Sequence, residues 1–218
     1  MLKHDLLNQH HSMEGLVIRQ ETQADYRETE ELIREAFYNR YKPGCDEHYL
    51  VHLLRKAPDF EAWHSLVAEF EGAIIGQVVL SPGVLKREDE TELSVLTLGP
   101  VGVLPAASGR GVGSALIKAA ITLARQRKEK AILLFGDPGY YRRFGFVSAS
   151  ALGIHLPGMN PLEEAPFFMV LPLFEGALQG TGGIFRESPV FANLQEGFDA
   201  YDSSFPKRRK LRLPGQLG

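Results

Sequence analysis

The chain has 218 residues and carries 24 Lys and Arg against 27 Asp and Glu, a net charge of -3 that leaves no global field to draw nucleic acid or an anionic membrane. An apolar share of 44% builds a core and a charged share of 23% a soluble surface, while the single Cys45 excludes an intrachain disulfide and fits a reducing compartment. No apolar run reaches the ~18 residues of a membrane span, and the start, MLKHDLLNQHHSMEG, lacks the long apolar stretch of a signal peptide, so the cytoplasm is the expected location.

Residues 1 to 13 are polar and without periodicity, which predicts a flexible tail. GLVIRQ (15–20) reads as a first strand. In the segment that follows, Tyr26, Thr29, Leu32, Ile33, Ala36 and Phe37 recur near helical spacing. Pro43-Gly44 breaks the pattern, and a second short helix runs toward Pro58. SLVAEFEGAIIGQVVLSPGVL is two apolar runs joined by Glu71-Gly72, a hairpin signal. After the charged KREDETE loop comes a long strand, LSVLTLGPVGVLP (93–105). A helix follows a glycine-rich turn, with Val112, Ala115, Leu116, Ala119, Ala120 and Leu123 at spacings of three and four. AILLFGD (131–137) is a short buried strand, PGYYRRFGFVSA a tight turn and short helix, and FFMVLPLF (167–174) a further strand. Residues 176 to 218 carry mostly loop signals and end in the basic KRRKLR (207–212). Hairpins followed by a strand–helix–strand unit indicate an α+β domain on a central mixed sheet.

The glycine turn raises the functional question. Helix N-termini favour Asp or Glu, yet no acidic residue stands between Glu92 and Glu129, and the first turn instead carries Arg110, flanked by Gly109, Gly111 and Gly113. Such a turn suits an external anion, because backbone N–H groups approach oxygens with no Cβ in the way. The P-loop string G-x-x-x-x-G-K-S/T is absent. The dinucleotide pattern G-x-G-x-x-G fails from Gly109, where the sixth residue is Ser114, and from Gly111, where it is Leu116.

A third reading is the pyrophosphate of coenzyme A. LGPVGVLPAASGRGVGSALI followed by LLFGDPGYYRRFGF resembles the GNAT superfamily of acetyl-CoA-dependent N-acetyltransferases, in a branch of single-domain proteins with a GDPxYYxRFGF motif. The family's Q/R-x-x-G-x-G/A motif matches at Gly111 and Gly113, with Ser108 where Gln or Arg is usual. Its second motif matches from Tyr140 to Phe146. The resemblance spans about residues 15 to 175. It implies a twisted, mostly antiparallel mixed sheet of about 6–7 strands flanked by about 4 helices, with a GNAT domain over 14–175 and a C-terminal extension, mostly loop, over 176–218.

The resemblance further implies acetyl-CoA as co-substrate and no metal. The backbone of Val101, Gly102 and Val103 would grip pantetheine and the thioester carbonyl, on a strand that splays from its neighbour; Pro100 and Gly102 are compatible with that break. The turn Ser108, Gly109, Arg110, Gly111, Val112, Gly113 and Ser114 would hold the pyrophosphate. Tyr141 would meet the cofactor and protonate the departing thiolate, unless it is a packed aromatic beside Phe144 and Phe146. For the general base, Glu92, Glu69, Asp137 and a water chain stay open, since the strand before the turn has Thr97 and no carboxylate after Glu92.

The expected reaction is acetyl transfer to a primary amine by direct attack, on a small molecule or a protein, over a surface walled by residues 26–50 and 151–170, where Glu163 and Glu164 either attract a cation or form a solvated loop. The alternative is a non-catalytic acyl-CoA sensor. The protein is expected as a monomer or homodimer, without nucleic acid or membrane partners. His48 and His52 stand at metal-ligand spacing without a third ligand, and Cys45 has no basic neighbour to activate it. KRRK is a solvated tail, or a contact to RNA or an acidic partner.

Overall fold

The computed structural model describes residues 13–160, 162–180 and 182–216; of the tail expected over 1–13, all but Met13 lies outside them. The strands are β1 (Val17–Gln20), β2 (Ser65–Phe70), β3 (Ala73–Lys86), β4 (Glu92–Val103), β5 (Ala131–Phe135), β6 (Val147–Ser148), β7 (Ile154–His155), β8 (Phe168–Pro172) and β9 (Gly183–Arg186). The helices are α1 (Tyr26–Phe37), α2 (Glu47–Leu54), α3 (Val112–Gln126), α4 (Pro138–Tyr141) and α5 (Phe198–Asp202). Strand order is β1-β2-β3-β4-β5-β8-β6, with β9 pairing β3 and β7. The α+β class and the mixed sheet agree with the sequence reading. The described strands number nine, above the six or seven expected, because β6, β7 and β9 are short pieces with no periodicity of their own.

The chain divides into two compact units. The first takes the described residues of Met1–Val79, Pro100–Ala119 and Val190–Gly218; the second takes Leu80–Gly99 and Ala120–Pro189. In the first unit, β1, β2 and the start of β3 form an antiparallel meander. Its hairpin closes at Glu71 and Gly72, with φ of 51° and 75°, the two left-handed residues that a tight two-residue turn requires. Leu32, Ile33, Leu50, Val51 and Leu54 of α1 and α2 bury against Val67, Ile74 and Val79. A Cβ on Gly76 would meet Leu116 Cδ1 at 2.9 Å and Val112 Cγ1 at 3.0 Å, so this glycine admits the start of α3 close to β3. The buried stripe of α3 is Val112, Leu116, Ile117, Ala120, Ile121 and Ala124. That is turned slightly from the expected one, since several neighbouring rows are apolar and packing selects among them.

The first unit also buries charge. The Arg55 side chain, 3% exposed, reaches Glu21 Oε1 at 2.5 Å and Glu30 Oε1 at 2.8 Å. Gln77 Nε2 and Thr29 Oγ1 donate to the same Glu21 carboxylate. The last segment is more than loop: Arg34, which is buried, donates to Asp202 of α5 at 2.9 Å, and His48 Nε2 meets the same oxygen at 3.1 Å. Lys207 to Lys210 are exposed, yet their backbone is held: Tyr38 Oη donates to the Arg208 carbonyl at 2.9 Å and Asn39 Nδ2 to the Arg209 carbonyl at 3.0 Å, while Arg208 pairs with Glu35.

In the second unit β5 pairs antiparallel with β8 over its whole length, Ala131–Pro172 to Phe135–Phe168. The core there is apolar: Leu85, Val95, Ala131, Leu133, Phe168, Val170 and Phe185 close together.

Candidate functional site

The turn before α3 lies in the first unit. A short 3-10 turn over Pro105–Ala107 precedes it, and Gly109 and Gly111 are both left-handed, with φ of 76° and 84°. Among the described residues a Cβ at either would meet nothing within 4 Å, and both glycines are exposed. Left-handed residues in such a turn help aim N–H groups toward one point, a concavity suited to anionic oxygens. Ala115 N donates to Gly111 O at 2.9 Å, the first bond of α3. The N–H groups ahead of it have no intrahelical acceptor by helix geometry, and no acidic residue stands in the first turn. Ser108 is exposed and Arg110 half-buried.

Val101, Gly102 and Val103 form the end of β4. Gly102 has a packing duty: a Cβ there would lie 2.5 Å from Ile33 Cδ1, so only glycine lets α1 approach this strand. Leu104 N then donates to Ile75 O at 3.0 Å. The break in the strand falls earlier than Pro100 and Gly102 suggest. In the second unit β4 pairs with β5 in parallel at Leu96–Ile132 and Thr97–Leu133 and no further among the described residues. Gly99, two residues on, has a φ of 139°, a conformation that L side chains rarely adopt. Leu134 and Phe135 continue on β8 alone.

Tyr141 ends α4 in the second unit. Pro138 opens that helix, and the Asp137 carboxylate caps it, accepting from Gly139 N at 2.9 Å. Gly145, at φ 93°, closes the next turn. The Tyr141 ring meets Phe146 edge-on at 5.9 Å and Tyr140 at 5.0 Å. A Cβ on Gly136 would lie 2.4 Å from Tyr141 Cε2, so the glycine in GDP exists to let this ring lie across the end of β5. That pairing of Gly136 with Tyr141 is a signal the sequence held and motif reading passed over.

The carboxylates considered as bases have other partners or positions. Glu69 accepts from Arg19 Nε at 2.9 Å, Asp137 is the cap just described, and Glu92 is exposed at the start of β4. Glu163 and Glu164 are exposed. Burial raises the pKa of Glu187, just after β9. His48 and His52 diverge: His52 Nδ1 meets Glu30 at 3.0 Å, while burial lowers His48 to about 4 despite Asp202. Burial pushes the Cys45 thiol up to about 12, the wrong direction for a nucleophile. Among the described residues no three His, Cys, Asp or Glu gather as a metal site, and no helix is long and apolar enough to cross a membrane.

A cavity of about 400 Å³ in the first unit, walled by Glu28, Glu31 and Glu35 of α1, Leu104, Pro105 and Phe205 among others, contains none of residues 108–114.

The model of the acetyltransferase (GNAT) family matches residues 26–146. The chain is 31% identical over 121 residues to the uncharacterized N-acetyltransferase YjhQ of Escherichia coli, covering 55% of this chain and 66% of that protein. It is 30% identical over 171 residues to the uncharacterized N-acetyltransferase YhbS of the same organism, 78% of this chain and 94% of that one. The crystal structure of YhbS in complex with CoA superposes with a TM-score of 0.69 at 27% identity, covering 81% of this chain and 92% of that chain. A GNAT acetyltransferase from Brucella melitensis in complex with acetyl-CoA gives 0.65 at 29% identity, over 84% and 99%.

Proposed function

Because this chain belongs to the acetyltransferase (GNAT) family, we propose that its glycine turn receives the pyrophosphate of acetyl-CoA and that Tyr141 is the general acid of an acetyl transfer to an amine. The protein is an acetyl-CoA-dependent N-acetyltransferase. The observation that carries the cofactor assignment is the pair of left-handed glycines, 109 and 111, open to solvent ahead of a helix without an acidic first turn. N–H groups of residues 109–114 donate to phosphate oxygens, and Ser108 and Arg110 flank them. The backbone of Val101, Gly102 and Val103 holds pantetheine and polarises the thioester carbonyl. The amine nitrogen bonds to the carbonyl carbon and gives up one proton to water, the C–S bond breaks, and the Tyr141 hydroxyl supplies a proton to sulfur and regains one from water. The acceptor is a small molecule or a protein amine, and the setting is the cytoplasm, as monomer or homodimer.

Calorimetry with acetyl-CoA, and NAD as comparison, tests the cofactor site. Gly113→Asp sets a negative charge at the helix N-terminus and abolishes acetyl-CoA binding; unchanged affinity refutes the assignment. Tyr141→Phe lowers turnover about a hundredfold while leaving acetyl-CoA affinity intact; full turnover places the acid elsewhere. Thiol release over an amine library separates transfer from binding alone.

A further inference from the structure

Two buried hydroxyls of the second unit break the rule that buried polar groups are paired. Ser81 is 0% exposed and Thr97 3% exposed, and among the described residues neither hydroxyl oxygen has a hydrogen-bond partner. They stand on hydrogen-bonded neighbours, β3 and β4. The hairpin joining those strands closes with Arg87 N donating to Thr91 O at 2.9 Å, and each of the two residues lies six positions from that pair. Strand alternation carries them on the same face as Leu85, Val95 and Leu133 of the apolar core. Thr97 is also the last β4 residue paired with β5, so its hydroxyl sits where the two strands part. One pleat beyond its partner Leu133, Phe135 is 42% exposed, so that face opens to solvent immediately past the split.

We propose that Ser81 Oγ and Thr97 Oγ1 bind the nitrogen of the attacking amine. The inference rests on the reading of the protein as an N-acetyltransferase whose chemistry occurs where β4 leaves β5. A neutral primary amine has two N–H groups and one lone pair. Two hydroxyl oxygens accept both N–H bonds and leave the lone pair free to attack. The pair carries no charge, so it selects the neutral amine and does not itself remove a proton. Formation of the C–N bond breaks the C–S bond, and the surplus proton of nitrogen balances the proton gained by sulfur. In the absence of an amine the hydroxyls stay unsatisfied, at a cost in stability that a purely structural pair would not carry.

Hydroxylamine is a suitable probe because it is small and yields acetohydroxamate, which is measured above the enzyme-free rate. Thr97→Val keeps the shape and removes the hydroxyl; Ser81→Ala does the same at the second position. Each variant is expected to lower enzyme-dependent hydroxamate formation at least about tenfold. Acetyl-CoA affinity by calorimetry is expected to stay within about twofold of wild type, with Tm unchanged or raised by about 2–4 °C. Thr97→Ser restores the rate. Retained rate in both variants overturns the proposal, and so does a fall in Tm with the rate lost, which marks the hydroxyls as structural. Wild-type protein that binds acetyl-CoA yet forms no enzyme-dependent hydroxamate overturns the placement of the attack at the split. Wild-type protein that does not bind acetyl-CoA overturns the cofactor site as well.

Discussion

The two units differ in the kind of buried polar group they carry. In the first, Arg55 lies between Glu21 and Glu30, and Arg34 shares Asp202 with His48, so each of these buried charges has its counterpart. In the second, the core around Leu85, Leu133 and Phe185 is apolar, and among the described residues the hydroxyls at the strand split have no partner, as Gln77 Oε1 of the first unit has none. The contrast separates two uses of a buried polar group. A paired one fixes architecture, because removing its partner exposes the full desolvation cost. An unpaired one costs stability in the resting protein, a cost that a ligand bonding to it recovers.

Breaking the first kind gives the largest effect. Arg55→Met leaves Glu21 and Glu30 buried without their cation and is expected to destabilise by about 3–5 kcal/mol, read as a fall in the urea midpoint. Activity lost in proportion to folded protein supports a purely architectural role.

Acid gives the next largest effect. The folded pKa of His48 is depressed to about 4, chiefly by burial, from the ordinary 6.5. The unfolded chain therefore takes up the proton first, so the stability this residue confers is complete above about pH 6.5 and is lost as pH falls toward 4. Unfolding free energy is expected to drop by about 2–3 kcal/mol across that window on this account. In urea titrations, His48→Gln flattens that part of the curve; an unaltered slope assigns the loss to other groups.

Gly111→Ala sharpens the comparison from the ligand side. Its φ of 84° strains any residue with a Cβ, although the space there is open. The variant is expected to lose about 1 kcal/mol of stability, and acetyl-CoA affinity falls with it if the turn is the phosphate site. The smallest effect belongs to Arg208→Ala. Its pair with Glu35 is exposed on both sides, so the change stays within about 0.5 kcal/mol by denaturation.

What the sequence revealed followed local rules. Glu71-Gly72 forms a tight turn from its own backbone preferences, and the glycine turn before α3 announces itself by composition and by the missing acids. Long-range choices were hidden. β6, β7 and β9 exist only through their partners, and α5 docks because Asp202 meets Arg34, 168 positions away. The strand break was visible in kind through the Gly and Pro of LGPVG, but its position at Thr97 and Gly99 is set by where β5 turns to β8 alone. The candidate bases Glu69 and Asp137 drop back because an arginine and a helix end claim them, which no spacing rule announces.

The first unit gathers three stretches of sequence, the last beginning at Val190, whereas the second is complete by Pro189. During synthesis the second unit can therefore close while the first still waits. Arg34 and His48 emerge first and gain Asp202 only 168 and 154 positions later. A chain halted short of Asp202 leaves a buried arginine without its carboxylate, so truncated products carry an unstable region that marks them for degradation.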